Sequence, residues 1–333
     1  FPLVSLLWSV DRAETFERGV ALLGTSLFGA YLGWRYTLGR ILFLLASALS
    51  LAVCLSLALI VLVPSMGIEA SGSLAGSWIG AHLHKNGLGS TAGLACLAIG
   101  YAITDNRGLR RTAFCLAFMV ALVLLIGARS LNALVVTAAV GALALWGRRL
   151  QRSPKEIPVL SLILAIALVG AGAMVIGPDL LERILALLGK SSTLSGRLPL
   201  WSLVWDYIEQ RFWLGFGYEA FWNRDAPAVM AIEAQLYYTP YYSHNGLLET
   251  WLNGGLVLVA LVLLLLCGLL IRSMVLFVRW RNLPISSFPL FYGVFFVMLN
   301  FAESHVLARN ELIWAVLVAV TVFVAQWVRA RQA

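Results

Sequence analysis

SHNGLLETWLNGGLVLVALVLLLLCGLLIR, residues 243–272, opens on a polar tripeptide and then runs almost without charge to Arg272. An apolar run of about 20 residues is long enough to cross a bilayer as a helix. With this much continuous apolar sequence, a helix is also the structure that satisfies its own backbone in lipid. A span is therefore expected over 247–271, with His244 and Asn245 at its mouth. Comparable runs occur over 17–34, 41–63, 87–104, 112–127, 131–147, 157–177, 285–301 and 309–328. Composition agrees: the 333 residues are 61% hydrophobic and 12% charged, against about a quarter charged in ordinary soluble domains. The expected fold is an all-α polytopic transmembrane helix bundle.

The charges between the runs orient it. Arg35 and Arg40, Arg107, Arg110 and Arg111, Arg148, Arg149, Arg152 and Lys155, Arg272, Arg279 and Arg281, and Arg329 and Arg331 fall in alternate connections, which the preference of positive charge for the cytoplasm assigns to that side. The net charge of +8 thus reports topology, and no nucleic-acid partner is expected. Cys54, Cys96, Cys115 and Cys267 lie inside apolar runs and are expected as small buried residues, neither metal ligands nor disulfides. The chain opens on FPLVSLLW without an initiator Met, resembling the end of a spanning helix, so truncation at the N-terminus is expected. Three regions follow: N-terminal transmembrane helices over 1–177, an external loop over 178–246, and C-terminal transmembrane helices over 247–333.

Four histidines, His82, His84, His244 and His305, fall on the expected external side, with Lys85, Arg129, Arg197, Glu303 and Arg309. Ionised groups inside the bilayer cost about 2.5–3.5 kcal/mol on insertion scales and need partners or water, so convergence on one external pocket is expected. In the loop, DLLERILALLG after Pro178 has helical spacing, and Ser195 is placed as the cap of a helix with Pro199 in its first turn. Trp201, Trp205, Ile208 and Phe212 recur at helical intervals, the pattern of a helix lying in the membrane interface. Arg197 at its start is either a phosphate ligand or an interfacial anchor. Tyr237, Tyr238, Tyr241 and Tyr242 offer rings for sugars or for headgroup depth.

His244 is either a base on a sugar hydroxyl, since imidazole exchanges protons near neutral pH, or a helix cap. Arg129, wedged in GARSLN between two runs, suits a diphosphate bidentately, or pairs with Glu303 or a headgroup. AHLHKNGLGS carries two histidines and Lys85 without acidic or Cys partners at ligand spacing, so no metal is expected there.

The stretches LWSVDRAETFERGVALL, HLHKNGLGS, GARSLNALV, SGRLPLW through FWLGFGYEAFW, and SHNGLLETWLNGGL together resemble the O-antigen ligase and polymerase superfamily, and within it the exopolysaccharide polymerization proteins. The most specific part is His-Asn followed by nine residues and Gly, here His244, Asn245 and Gly255. Two positions depart from ligases: Leu258 stands where Gly, Thr or Tyr is frequent, and Trp201 where a leucine follows the loop arginine. The resemblance implies a glycosyl transfer at the external face of the bacterial inner membrane. The donor would be a glycan on undecaprenyl diphosphate, the acceptor a lipid-linked glycan or lipid A core, with no cofactor. It implies that Arg129, Arg197 and Lys85 hold the diphosphate and that His244 acts on the acceptor hydroxyl. Asn86, Tyr242, Asn245 and Glu303 are expected in support. HKN and ESHVLARNELIW favour a polymerase, with an O-antigen ligase as the alternative. A transporter would place its polar groups near the midplane in repeated halves, whereas here they gather at external ends.

Overall fold

The computed structural model describes residues 1–70, 74–151, 197–236, 238–280 and 283–329. The helices used below are α1 (Arg12–Arg35), α2 (Leu38–Leu62), α3 (Lys85–Asp105), α4 (Gly108–Gly127), α5 (Leu131–Leu150), α6 (Arg197–Gln210), α7 (Pro227–Leu236), α8 (Gly246–Arg279), α9 (Phe288–Leu299) and α10 (Leu312–Arg329). Among the described residues no strand forms beyond one isolated bridge, Ile68 to Trp78. The protein is an all-α polytopic bundle.

Five helices, α2, α3, α4, α5 and α8, are long and apolar enough to cross a membrane, and α9 and α10 are shorter apolar helices. The expected spans are thus largely recovered. α1 is helical as expected, but it is not one of the five, because Arg12, Glu14, Glu17 and Arg18 crowd its first turns. The span expected over 157–177, the helix after Pro178, the Ser195 cap and Tyr237 lie outside the described residues. The opening FPLVSLLW holds a 3-10 turn, Val4–Leu7.

The chain divides into two units. One comprises the described residues of 29–165, 269–299 and 316–333. In it α3 packs against α2, α4, α5 and α9, and its small residues Gly89, Ser90, Ala92, Gly93 and Ala95 let the neighbours approach closely, as in membrane helix interfaces. Where α4 ends, Trp78 donates its backbone N–H to Gly127 O at 3.0 Å and lies over that glycine. His84 caps α3, its Nδ1 accepting the Asn86 N–H at 3.2 Å.

The other unit comprises the described residues of 1–28, 166–268 and 300–315. Its core joins Leu200, Val204 and Ile208 of α6 to Phe221, Val229, Ile232 and Leu252. The buried stripe of α6 is therefore this aliphatic row at four-residue spacing, and the tryptophans flank it. Trp205 meets Trp251 edge to face at 5.3 Å, and Trp201 points its N–H at a carbonyl, as an indole at the edge of a core requires. α6 is thus a packed element whose buried face is this aliphatic row.

A break in α8 ties the last two motifs together. Gly254 and Gly255 leave helical geometry, Gly255 at φ 64°, and a Cβ on Gly255 would fall 2.1 Å from the Trp213 carbonyl carbon. The 212–216 turn occupies that gap: Phe216 N–H donates to Leu252 O at 2.7 Å and Leu256 N–H to Phe212 O at 2.8 Å. A Cβ on Gly215, at φ 65°, would fall 2.4 Å from Leu252 O. The helix backbone freed by the break is thus satisfied by the Phe-Trp-Leu-Gly-Phe turn.

Candidate functional site

The site is built from the residues entering α8. Asn245 caps the helix, its Oδ1 accepting the N–H groups of Leu247 at 3.0 Å and Leu248 at 3.2 Å. Gly246 N–H donates to Asn300 O at 2.8 Å. Before His244, Ser243 is fully buried: its N–H donates to Glu249 Oε2 at 2.8 Å and its carbonyl accepts Trp201 Nε1–H at 2.9 Å. His244 is thus held from both sides, at φ 52°. A non-glycine residue in that region costs about 1–3 kcal/mol, and such residues cluster at functional sites. Because Asn245 does the capping, the imidazole remains available.

Glu303 is the hub. Arg197 Nη2 lies 3.0 Å from its Oε1, Tyr242 donates to its Oε2 at 3.4 Å, and His244 Nδ1 stands 3.9 Å from the same oxygen. The last distance exceeds a hydrogen bond, and His244 Nδ1 is buried without a hydrogen-bond partner among the described residues. The Tyr242 ring covers the imidazole, centroids 4.1 Å apart. The Glu303 side chain is 6% exposed, Arg197 13% and His244 21%. Burial pushes the Glu303 carboxyl up, but the His244 ring and the Arg197 charge outweigh it, so Glu303 is held below its ordinary value. Tyr242 moves the other way, raised by burial and by the Glu303 charge, and stays a phenol that donates.

Chemically, a buried carboxylate facing Nδ1 favours a proton there, which leaves the Nε2 lone pair to accept one. Arg197 brings a fixed cation, suited to phosphate oxygens, to the same carboxylate.

Of the expected residues, Arg197, Tyr242, His244, Asn245 and Glu303 come together in this unit. Lys85, Asn86 and Arg129 come together in the other: Lys85 Nζ donates to Arg129 O at 3.3 Å, while Asn86 is buried at the start of α3. Arg129 is exposed and, like His244, takes a positive φ, 49°. His305 and Arg309, expected in the external group, each face a carboxylate other than Glu303: His305 Nδ1 meets Glu311 Oε2 at 2.7 Å and Arg309 Nε meets Glu219 Oε2 at 2.8 Å.

Sequence reasoning missed Glu249. It is buried, and its carboxylate accepts Trp222 Nε1–H at 3.0 and 3.1 Å besides the Ser243 N–H. The available signal was its cost: an acidic residue in the first turn of an apolar span persists only with partners. Trp201 was noted as a departure from the ligase pattern, and its N–H supports the carbonyl preceding His244, which leucine could not do.

A family profile described as O-antigen ligase matches residues 114–263, a segment that holds Arg129, Arg197, Tyr242, His244, Asn245, Glu249 and Gly255. A search of curated proteins returned no match. Over that segment, which takes in the strained His244 and the cationic Arg197, this multi-pass membrane protein is similar to the O-antigen ligases, a family of glycosyl-transfer enzymes.

Proposed function

We propose that the protein is an inner-membrane glycosyltransferase, working at the periplasmic face, that moves an undecaprenyl-diphosphate-linked oligosaccharide to an acceptor sugar and so polymerises exopolysaccharide or O-antigen repeat units. The observation that carries it is the Arg197–Glu303–His244 arrangement, with Arg197 and His244 inside the family-matched segment. In this reading His244 Nε2 takes the proton of the acceptor hydroxyl as its oxygen bonds to the anomeric carbon of the donor glycan. The bond from that carbon to the diphosphate breaks, and undecaprenyl diphosphate leaves with the electron pair. Arg197 meets the charge developing on the leaving group, as pre-placed cations do without reorganisation. Lys85 and Arg129 are a second phosphate-binding pair. Glu303 keeps the ring oriented, Tyr242 covers it, Asn245 and Asn86 support the backbone, and no metal is required.

The O-antigen ligase description of the matching profile favours a second reading, transfer to lipid A core, which differs only in the acceptor. Membrane vesicles given purified undecaprenyl-diphosphate repeat units, with and without lipid A core, separate the two. Longer lipid-linked chains support the polymerase, and glycan on the core supports the ligase. In either case His244→Ala is expected to lower the rate by about 10²–10⁴-fold, the usual worth of general base catalysis. Movement of the intact lipid between leaflets with neither product would overturn both.

A further inference from the structure

In the unit formed by α2–α5 and α9, a cavity of about 630 Å³ opens between α3, α4, α5 and Phe295 of α9. That is well inside the range of about 300–1,000 Å³ found for ligand pockets. Its walls are almost wholly apolar, with Leu97, Phe118, Leu122 and Leu134 among them. Along α5 the lining runs from Leu134 to Arg148, about 21 Å at 1.5 Å per residue, so the space has the proportions of a hydrocarbon chain. The middle of the wall is open: a Cβ on Gly141 would meet nothing within 4 Å.

One end is cationic. The Arg148 guanidinium stands over the Tyr101 ring at 4.4 Å, which fixes its position, and its Nε is buried with no hydrogen-bond partner among the described residues. Arg149, next to it, is exposed. A buried guanidinium donor without a partner is costly, and an apolar slot ending on such a donor is complementary to a molecule with a long chain and an anionic head. Basic pockets at the ends of membrane helices recognise anionic lipid headgroups in this way. The slot is distinct from the phosphate-binding pair proposed above. Arg129 precedes the first turn of α5, whereas Arg148 is in its last turn, about 26 Å away along the helix.

We propose that this slot is a binding site for an anionic phospholipid, with one acyl chain between α3, α4 and α5 and the headgroup phosphate on Arg148. Arg148 Nε and the exposed Arg149 supply the donors, and the α5 end that carries them is the one expected on the cytoplasmic side.

Native mass spectrometry of the full chain, exchanged into detergent and incubated with equal amounts of phosphatidylglycerol and chain-matched phosphatidylcholine, tests this. One phosphatidylglycerol is expected to be retained with a preference of about fivefold, roughly the value of one cation near an anionic headgroup. Arg148→Gln should abolish the preference while leaving lipid retention. Gly141→Leu and Gly141→Phe should each lower retention itself, with helix content and melting temperature showing that the variants fold. Equal retention of the two lipids by the wild type, or retention unchanged in folded Gly141 variants, would overturn the proposal. So would displacement of phosphatidylglycerol by an equal amount of undecaprenyl phosphate, which would give the slot to the carrier lipid instead.

Discussion

At the scale of single residues the account rests on Glu303, whose carboxylate faces Arg197, Tyr242 and His244 at 3.0, 3.4 and 3.9 Å. Glu303→Gln leaves the half-buried Arg197 without its counter-charge, and a loss of about 1–3 kcal/mol is expected. Its pH dependence follows from the direction of the shift. Glu303 is held below its ordinary value in the folded protein, so its contribution is complete above the ordinary carboxylate value of about 4.3 and fades as pH falls through the lower folded value. Melting temperatures of wild type and Glu303→Gln in detergent should therefore differ most at neutral pH and draw together in acid. A gap unchanged down to pH 3 would contradict the pairing. His244 and Asn245 were legible in the sequence because a polar triplet at the mouth of a long apolar run is conspicuous, and Arg197 because it leads the Trp-bearing helix of the loop. The alternatives offered for His244, base or helix cap, separate only in three dimensions, where Asn245 takes the capping bonds. Glu249 was not legible: its partner atoms are Ser243 N and Trp222 Nε1, and a position five residues after His244 says nothing of a chain that folds back to meet it.

At the scale of elements, the spans from apolar runs correspond to α2, α3, α4, α5 and α8 because burial in lipid leaves little else for such sequences to do. The break within α8 was invisible, since a lone Gly pair rarely marks more than a weak point. The structure gives the spacing a reason: Gly255 is where the 212–216 turn presses through the helix, and the nine residues after Asn245 set its depth. Gly255→Ala places a Cβ against the Trp213 backbone at a positive φ. A destabilisation of about 2–4 kcal/mol is expected, as for other incompatible backbone positions. Thermal melting measures it; an unchanged midpoint would show that the clasp between the two motifs does not hold the helix. In α6 the expected row of Trp201, Trp205, Ile208 and Phe212 holds only part of the buried face: the apolar row Leu200, Val204 and Ile208 is what the unit buries, with the indoles at its edge.

At the scale of the whole molecule, composition alone gave an all-α membrane protein, and the charge alternation gave an orientation that places Asp225 outside and Arg107 inside. Both residues are exposed, so in a cysteine-free background Asp225→Cys should react with an impermeant maleimide on intact cells stripped of the outer membrane. Arg107→Cys should react only after permeabilisation. The reverse pattern would invert the proposed topology and remove the periplasmic site. What composition could not give was which polar residues meet. Arg197 and Glu303 are 106 positions apart, and only folding selects that pair from the several charges expected outside.

The measurement that bears most directly on the central claim is glycan transfer by His244→Gly. Glycine adopts the positive φ of 52° without strain, so this variant should melt at or above the wild-type temperature, and its lack of an imidazole should be felt in chemistry alone. With undecaprenyl-diphosphate repeat units and acceptor in excess, the account predicts a correctly folded variant whose transfer rate falls at least about 10²-fold. Transfer at the wild-type rate by the folded variant would contradict it.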